Sequence, residues 1–264
     1  LIEISGYYPK QDPYYKHYAF LNLDDGQLTL LTDADGTHEI EFSPDRSHYL
    51  AKWSRVDHPP VFEIHRTSDG SKVATLNKPD LAPLNATGWQ TPEKFVCKDR
   101  NDQYDIHGVI FRPQNFDPDK KYPVIENIYA GPHGAFVPKS FSAWHGHKSE
   151  MAEGGFIVVQ IDGLGTNYRG REFQQVAYKN LKDSGFPDRI KWLQAAAAKY
   201  PQMDLSRVGI YGGSAGGQSS TAALLHHGDF YKAAVSDCGC HDNRLDKIWW
   251  NEQWMGWPVD DAYA

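Results

Sequence analysis

Residues 210–217 read Ile-Tyr-Gly-Gly-Ser-Ala-Gly-Gly, a serine among four glycines directly after an apolar run. The surrounding chain predicts a strand before it, Arg207–Tyr211, and a helix after it, Ala215–His227, stopped by Gly228. A G-x-S-x-G pattern needs such a setting to carry weight. With 15 serines and 23 glycines in 264 residues, chance supplies about 0.1 matches. In a strand-to-helix turn this tight, the neighbours two positions either side must be tiny. The serine is then forced out at the mouth of the helix, where unpaired N–H groups favour negative charge. Ser214 is therefore the candidate nucleophile, and the backbone N–H of Ala215 the first candidate oxyanion donor. A structural glycine loop without chemistry is the alternative.

Two other glycine-rich readings fail. A phosphate loop needs Gly-Lys-Ser/Thr, but Gly216-Gly217 is followed by Gln218. In Asp162-Gly-Leu-Gly-Thr-Asn-Tyr-Arg-Gly the third glycine comes two positions late for a dinucleotide fingerprint.

The elements around this turn alternate. A hairpin over Lys94–Cys97 and Tyr104–Arg112 is followed by near-continuous apolar runs at Tyr122–Tyr129 and Gly155–Asp162, as in strands covered on both faces. A helix at Pro187–Lys199 shows Ile190, Leu193, Ala197 and Tyr200 on one face, and Lys232–Ser236 gives one more strand. This pattern predicts a doubly wound α/β sheet. The first eighty residues are different. Asp25-Gly26 and Asp69-Gly70 are hairpin turns flanked by alternating runs, 44 residues apart. That spacing suits four-stranded propeller blades of about 40–45 residues. Residues 38–76 read as one blade and residues 1–32 as most of another. One and a half blades close no propeller, so the expectation is a piece of a larger one; a small independent sandwich is the alternative. The division expected is 1–80 for blades, 81–93 for a connector and 94–264 for the α/β part.

Composition sets outer bounds. The net charge of −7 and the lack of a Lys/Arg stripe argue against nucleic acid. The longest apolar runs fall far short of a membrane span. Cys97, Cys238 and Cys240 are too few for a disulfide framework and read as small buried residues. His145-Gly-His147 reads as solvated surface rather than a metal site.

A serine hydroxyl also needs a second oxyanion donor and a base. The donor should come from the loop after the third strand, Tyr129-Ala-Gly-Pro-His133-Gly, where Tyr129 offers its phenol and Pro132 has no N–H. The series Lys121-Tyr-Pro-Val, Tyr129-Ala-Gly-Pro, Val159-Gln-Ile-Asp-Gly-Leu-Gly, Gly212-Gly-Ser-Ala-Gly-Gly and Trp254-Met-Gly-Trp-Pro resembles the prolyl oligopeptidase family, most of all its dipeptidyl peptidase IV branch. The resemblance covers the whole chain. It implies a β-propeller followed by an α/β-hydrolase domain, a serine peptidase acting on short peptides, an N-terminal dipeptide as product, and no cofactor. In that branch the tyrosine matching Tyr129 donates its hydroxyl to the oxyanion. Counting back from Met255-Gly256, the positions of two pocket tyrosines fall on Trp250 and Asp246; the carboxylate puts strict proline specificity in doubt. The Trp249, Trp250, Trp254, Trp257 group is read by default as core. An esterase or acyl-aminoacyl hydrolase on the same parts, or a catalytically silent binding module, remain the alternatives. The resemblance also suggests a homodimer and a periplasmic or secreted setting.

The order along such a chain is Ser, then Asp/Glu, then His, each after a later strand. Only one strand follows Ser214 here. His226 and His227 lie at the far end of the serine's helix, and His241 comes too early. The expectation is that the triad acid and base belong to sequence beyond these residues, leaving the fragment alone inactive.

Overall fold

The computed structural model describes residues 1–245 and 247–257. They form two compact units: Leu1–Thr87 with Pro138–Ala143, and Gly88–Val137 with the described residues from Trp144 on.

The first unit is all antiparallel sheet. Strands β1 (Ile2–Ile4), β2 (His17–Leu21) and β3 (Leu28–Leu30) make a three-stranded sheet. Strands β4 (Thr37–Phe42), β5 (His48–Arg55), β6 (His58–Arg66) and β7 (Lys72–Thr75) make a four-stranded meander in sequence order. This is the blade pattern that the two Asp-Gly turns predict. Leu31, Tyr49 and Ala51 form its small core, flanked by Phe20, Ile40 and Phe42. The Tyr49 hydroxyl donates to the Leu31 carbonyl, so this buried phenol is satisfied.

The segment expected to be a bare connector contains a short helix, α1 (Ala82–Asn85), with proline in its first turn. The second unit is a six-stranded sheet. Its members are β8 (Glu93–Lys98), β9 (Asp105–Phe111), β10 (Tyr122–Asn127), β11 (Ile157–Asp162), β12 (Met203–Gly213) and β13 (Tyr231–Asp237). They lie in the order β13-β12-β10-β11-β9-β8. The four strands β13, β12, β10 and β11 are parallel, and the β8–β9 hairpin runs antiparallel at one edge. The helices are α2 (His147–Glu153), α3 (Arg171–Gln175), α4 (Phe186–Lys199), α5 (Ala215–His227) and α6 (Ile248–Met255).

All six residues of β11 are buried, which explains its unbroken apolar run. The core gathers Val124, Ile128, Ile157, Val159, Ile161, Val208 and Ile210 from the sheet with Phe186, Trp192 and Leu193 from α4. Each such side chain contributes about 1.5–3 kcal/mol by leaving water. The buried stripe of α4 differs from the apolar one expected. Asp188 and Arg189 are fully buried while Ile190 is only partly so. Arg189 donates to Glu126 of β10 at 2.6 Å, and Glu126 accepts the Tyr231 hydroxyl of β13 at 2.7 Å. A buried charge needs such partners, and here they tie three elements across the sheet.

Chain order leaves β10 for β11 on one side and returns for β12 on the other. The strand order therefore reverses at β10/β12, and the crevice past the carboxyl ends of these strands is the favoured binding place in an open α/β sheet. Among the described residues no helix is long and apolar enough to cross a membrane.

Candidate active site

Ser214 sits between β12 and α5 with φ 57° and ψ −120°. A non-glycine residue in that region is strained by about 1–3 kcal/mol and persists only when its surroundings enforce it. They do so here through three close backbones. A Cβ on Gly212 or on Gly216 would lie 2.2 Å from the Ile128 carbonyl oxygen. The Gly212 Cβ would also come within 2.8 Å of the Gly216 backbone. The glycines two before and two after the serine are thus required by β10 as well as by the approach of strand to helix. Ser214 N–H donates to the Asp237 carbonyl of β13 at 2.9 Å, and its own carbonyl accepts the first helical bond from Gln218 at 3.1 Å. The Ala215 N–H falls in the first turn of α5, where amides lack intrahelical partners.

Tyr129 lies two residues past the end of β10, and Ala130 beside it is left-handed with φ 59°. The ring packs on Phe136 at 4.7 Å and edge-on to His133 at 5.8 Å. His133 in turn meets Trp250 of α6 at 5.2 Å. Desolvation holds the His133 imidazole below its ordinary pKa, favouring the neutral ring. The loop carrying these groups is anchored from the end of β11 and from α3. The Asp162 carboxylate accepts the amides of Phe136 and Val137, and Gln174 donates to the Pro132 carbonyl at 2.7 Å.

Tyr129, Ser214, Ala215 and Trp250 line one cavity of about 700 Å³, within the usual size range for small-ligand sites. The cavity also takes in His133, Gln218, Cys238, Cys240, His241, Lys247 and Trp249. None of these was singled out in sequence as a site residue, though two signals were there. Gln218 is one helical turn from Ser214, hence on its face. Residues 238–242 follow the carboxyl end of a parallel strand, where ligand loops cluster.

Several expectations need correction. Cys238 is exposed and Cys240 partly so; neither is a buried filler, because the strand that should hide them ends at Asp237. Within the Trp249, Trp250, Trp254, Trp257 group only Trp254 is core; Trp249 and Trp257 are more than half exposed. His147 is exposed, but His145 turns in against the Phe111 ring at 5.0 Å. Asp246 lies outside the described residues.

The histidines set aside on sequence grounds fall as follows. His226 and His227 close α5, about 18 Å along the axis from Ser214, and His227 packs on Phe186. His241 lines the cavity, with Nε2 3.4 Å from the Ser236 hydroxyl. Among the described residues no histidine is hydrogen-bonded to the Ser214 hydroxyl.

The prolyl oligopeptidase family matches residues 142–264. The chain as a whole is similar to human dipeptidyl peptidase 8, 26% identical over 94% of the chain and 28% of the human protein. It is also similar to the crystal structure of Porphyromonas gingivalis dipeptidyl peptidase 4, with a TM-score of 0.77 and 26% identity over 95% of this chain and 35% of that one. The chain therefore spans about a third or less of the relatives it matches. Within that span it carries β-propeller blades followed by an α/β-hydrolase sheet, the dipeptidyl peptidase IV-like order.

Proposed function

We propose that the protein carrying this sequence is a serine peptidase that cleaves short peptides and releases N-terminal dipeptides. Residues 1–80 supply propeller blades, and residues 94–264 supply the first part of the catalytic domain. The Ser214 hydroxyl attacks the scissile carbonyl carbon and forms an acyl-enzyme. The Tyr129 hydroxyl and the Ala215 N–H donate to the oxyanion as it develops. Trp250 forms a wall for the side chain before the scissile bond. A histidine and a carboxylate from outside these residues take the serine proton and return it to the leaving amine. No cofactor is needed for this chemistry, and a peptide is its partner; the full-length protein is read as a homodimer.

The observation that carries the reading is the strained serine at the strand-to-helix turn, sharing a cavity with a tyrosine at the end of the neighbouring strand. Dipeptide release rests on the relatives named above. The test uses the full-length natural protein. A fluorophosphonate should label Ser214, and the Ser214→Ala variant should not be labelled. A panel of Xaa-Pro and Xaa-Ala dipeptide amides against acyl esters should show dipeptide release as the preferred reaction. Absence of labelling on the folded protein overturns the peptidase reading; ester preference overturns the substrate class.

A further inference from the structure

The cavity beside Ser214 holds two thiols that the proposed reaction does not use. Free cysteine is among the most buried of residue types, yet Cys238 is exposed and lines this cavity together with Cys240. Their backbone is locked to the serine turn. The Asp237 carbonyl, one residue before Cys238, accepts the Ser214 N–H. A Cβ on Gly217 would lie 2.3 Å from that same carbonyl, and one on Gly239 would lie 2.7 Å from the Gln218 nitrogen. The Cys-Gly-Cys segment therefore crosses the first turn of α5 backbone to backbone. Cys238 itself is left-handed, with φ 43°. A group attached to either sulfur stays next to Ser214, because the segment cannot swing away without releasing the serine amide. The remaining cysteine, Cys97, lies outside the cavity, and burial pushes its thiol up to about 11, so it stays protonated and slow to react near neutral pH.

We propose that Cys238 and Cys240 form a thiol modification site in the wall of the Ser214 cavity, taking low-molecular-weight disulfides, and that the adduct shuts the cavity to substrate. The consequence for substrate rests on the Ser214 reading above. The step is an exchange. The thiol loses its proton to solvent, and the thiolate attacks one sulfur of the small disulfide. The reagent's S–S bond breaks and one half leaves as a thiolate. The protein sulfur ends oxidised in a mixed disulfide, and a dithiol reverses it.

The test treats reduced, desalted full-length protein with dithiobis(nitrobenzoate), whose released thiolate is coloured. Peptide mapping locates the adduct. Fluorophosphonate labelling of Ser214 is read before treatment, after it, and after dithiothreitol. Each of Cys238→Ser, Cys240→Ser and the double variant is compared with its own untreated sample. The expected result is an adduct on Cys238 or Cys240 ahead of Cys97, loss of labelling, recovery with dithiothreitol, and no loss in the double variant. An adduct confined to other cysteines overturns the site. So does an adduct on the pair that leaves labelling unchanged, or equal loss in the double variant. If untreated folded protein is not labelled, the Ser214 reading fails by itself. Tryptophan emission then decides the site, since Trp249 and Trp250 line the same cavity. A nitroaromatic adduct there quenches them in wild type and not in the double variant; absence of that difference overturns the proposal.

Discussion

The Asp162 carboxylate accepts the backbone N–H of Phe136 at 2.9 Å, and its second oxygen accepts that of Val137 at 2.9 Å. Asp162 is fully buried at the end of β11, and Phe136 packs on the Tyr129 ring. The charge of one strand end thus fixes the loop that carries the candidate oxyanion donor of the next. Hydrogen bonds to a charged acceptor contribute about 1.5–3 kcal/mol. Asp162→Asn keeps the shape and loses the charge. It should lower kcat with little change in KM, once rates are normalised to sites titrated by fluorophosphonate. Wild-type kcat per titrated site, with only the yield of folded protein reduced, would leave Asp162 a purely structural residue.

The glycines at the serine turn make a steric prediction that needs no substrate. Gly216→Ala places a methyl 2.2 Å from the Ile128 carbonyl, whereas Gly213→Ala meets nothing nearer than 3.6 Å. Overpacking of this kind costs about 1–3 kcal/mol. Urea unfolding should therefore show Gly216→Ala destabilised on that scale and Gly213→Ala within about 0.5 kcal/mol of wild type. Equal midpoints for the two variants would mean that β10 does not press on the turn.

Tyr129→Phe removes one hydroxyl and keeps the ring contacts to Phe136 and His133. If that hydroxyl holds the oxyanion, kcat of the full-length enzyme should fall by about 10²–10³. The thermal midpoint should stay near wild type. A variant with full activity would hand the second donor role to another group.

The turn was legible in sequence because its constraint is local. Only glycine fits two residues before and two residues after Ser214, and strand and helix periodicities bracket the turn on either side. The blade was legible because its Asp-Gly turns and alternating runs are local too. What stayed hidden were features set by distant partners. Asp188 and Arg189 are not among the apolar residues expected to face the core from α4, yet both are fully buried because Arg100, Glu126 and the Ile161 carbonyl meet them there. The Cys-Gly-Cys segment carries no periodicity, so its exposure depends on where β13 ends. Trp249 and Trp254 are alike in sequence, but one lines the cavity and the other packs beneath it because α6 turns one side inward. The short helices α2 and α3, of seven and five residues, are too short to show an apolar stripe in sequence.

The blade unit carries a pH prediction. His38 is buried, its Nδ1–H donating to the Lys16 carbonyl, with His17 at 4.7 Å and Trp53 at 6.4 Å. Burial, and next the neighbouring His17, push the His38 imidazole down to about 4. Burial lowers His17 in the same sense. Between pH 6.5 and about 4 the unfolded chain binds a proton at His38 that the folded one refuses. Stability therefore rises with pH across that window and is unaffected by this group above it. The full loss at the acid end is up to about 3 kcal/mol. His38→Phe removes the titration, so its urea midpoint should fall less steeply than wild type from pH 6.5 to 4.5, about the range where the lost proton matters most. Parallel acid slopes for the two proteins would show that His38 takes up its proton in the folded state as easily as in the unfolded one.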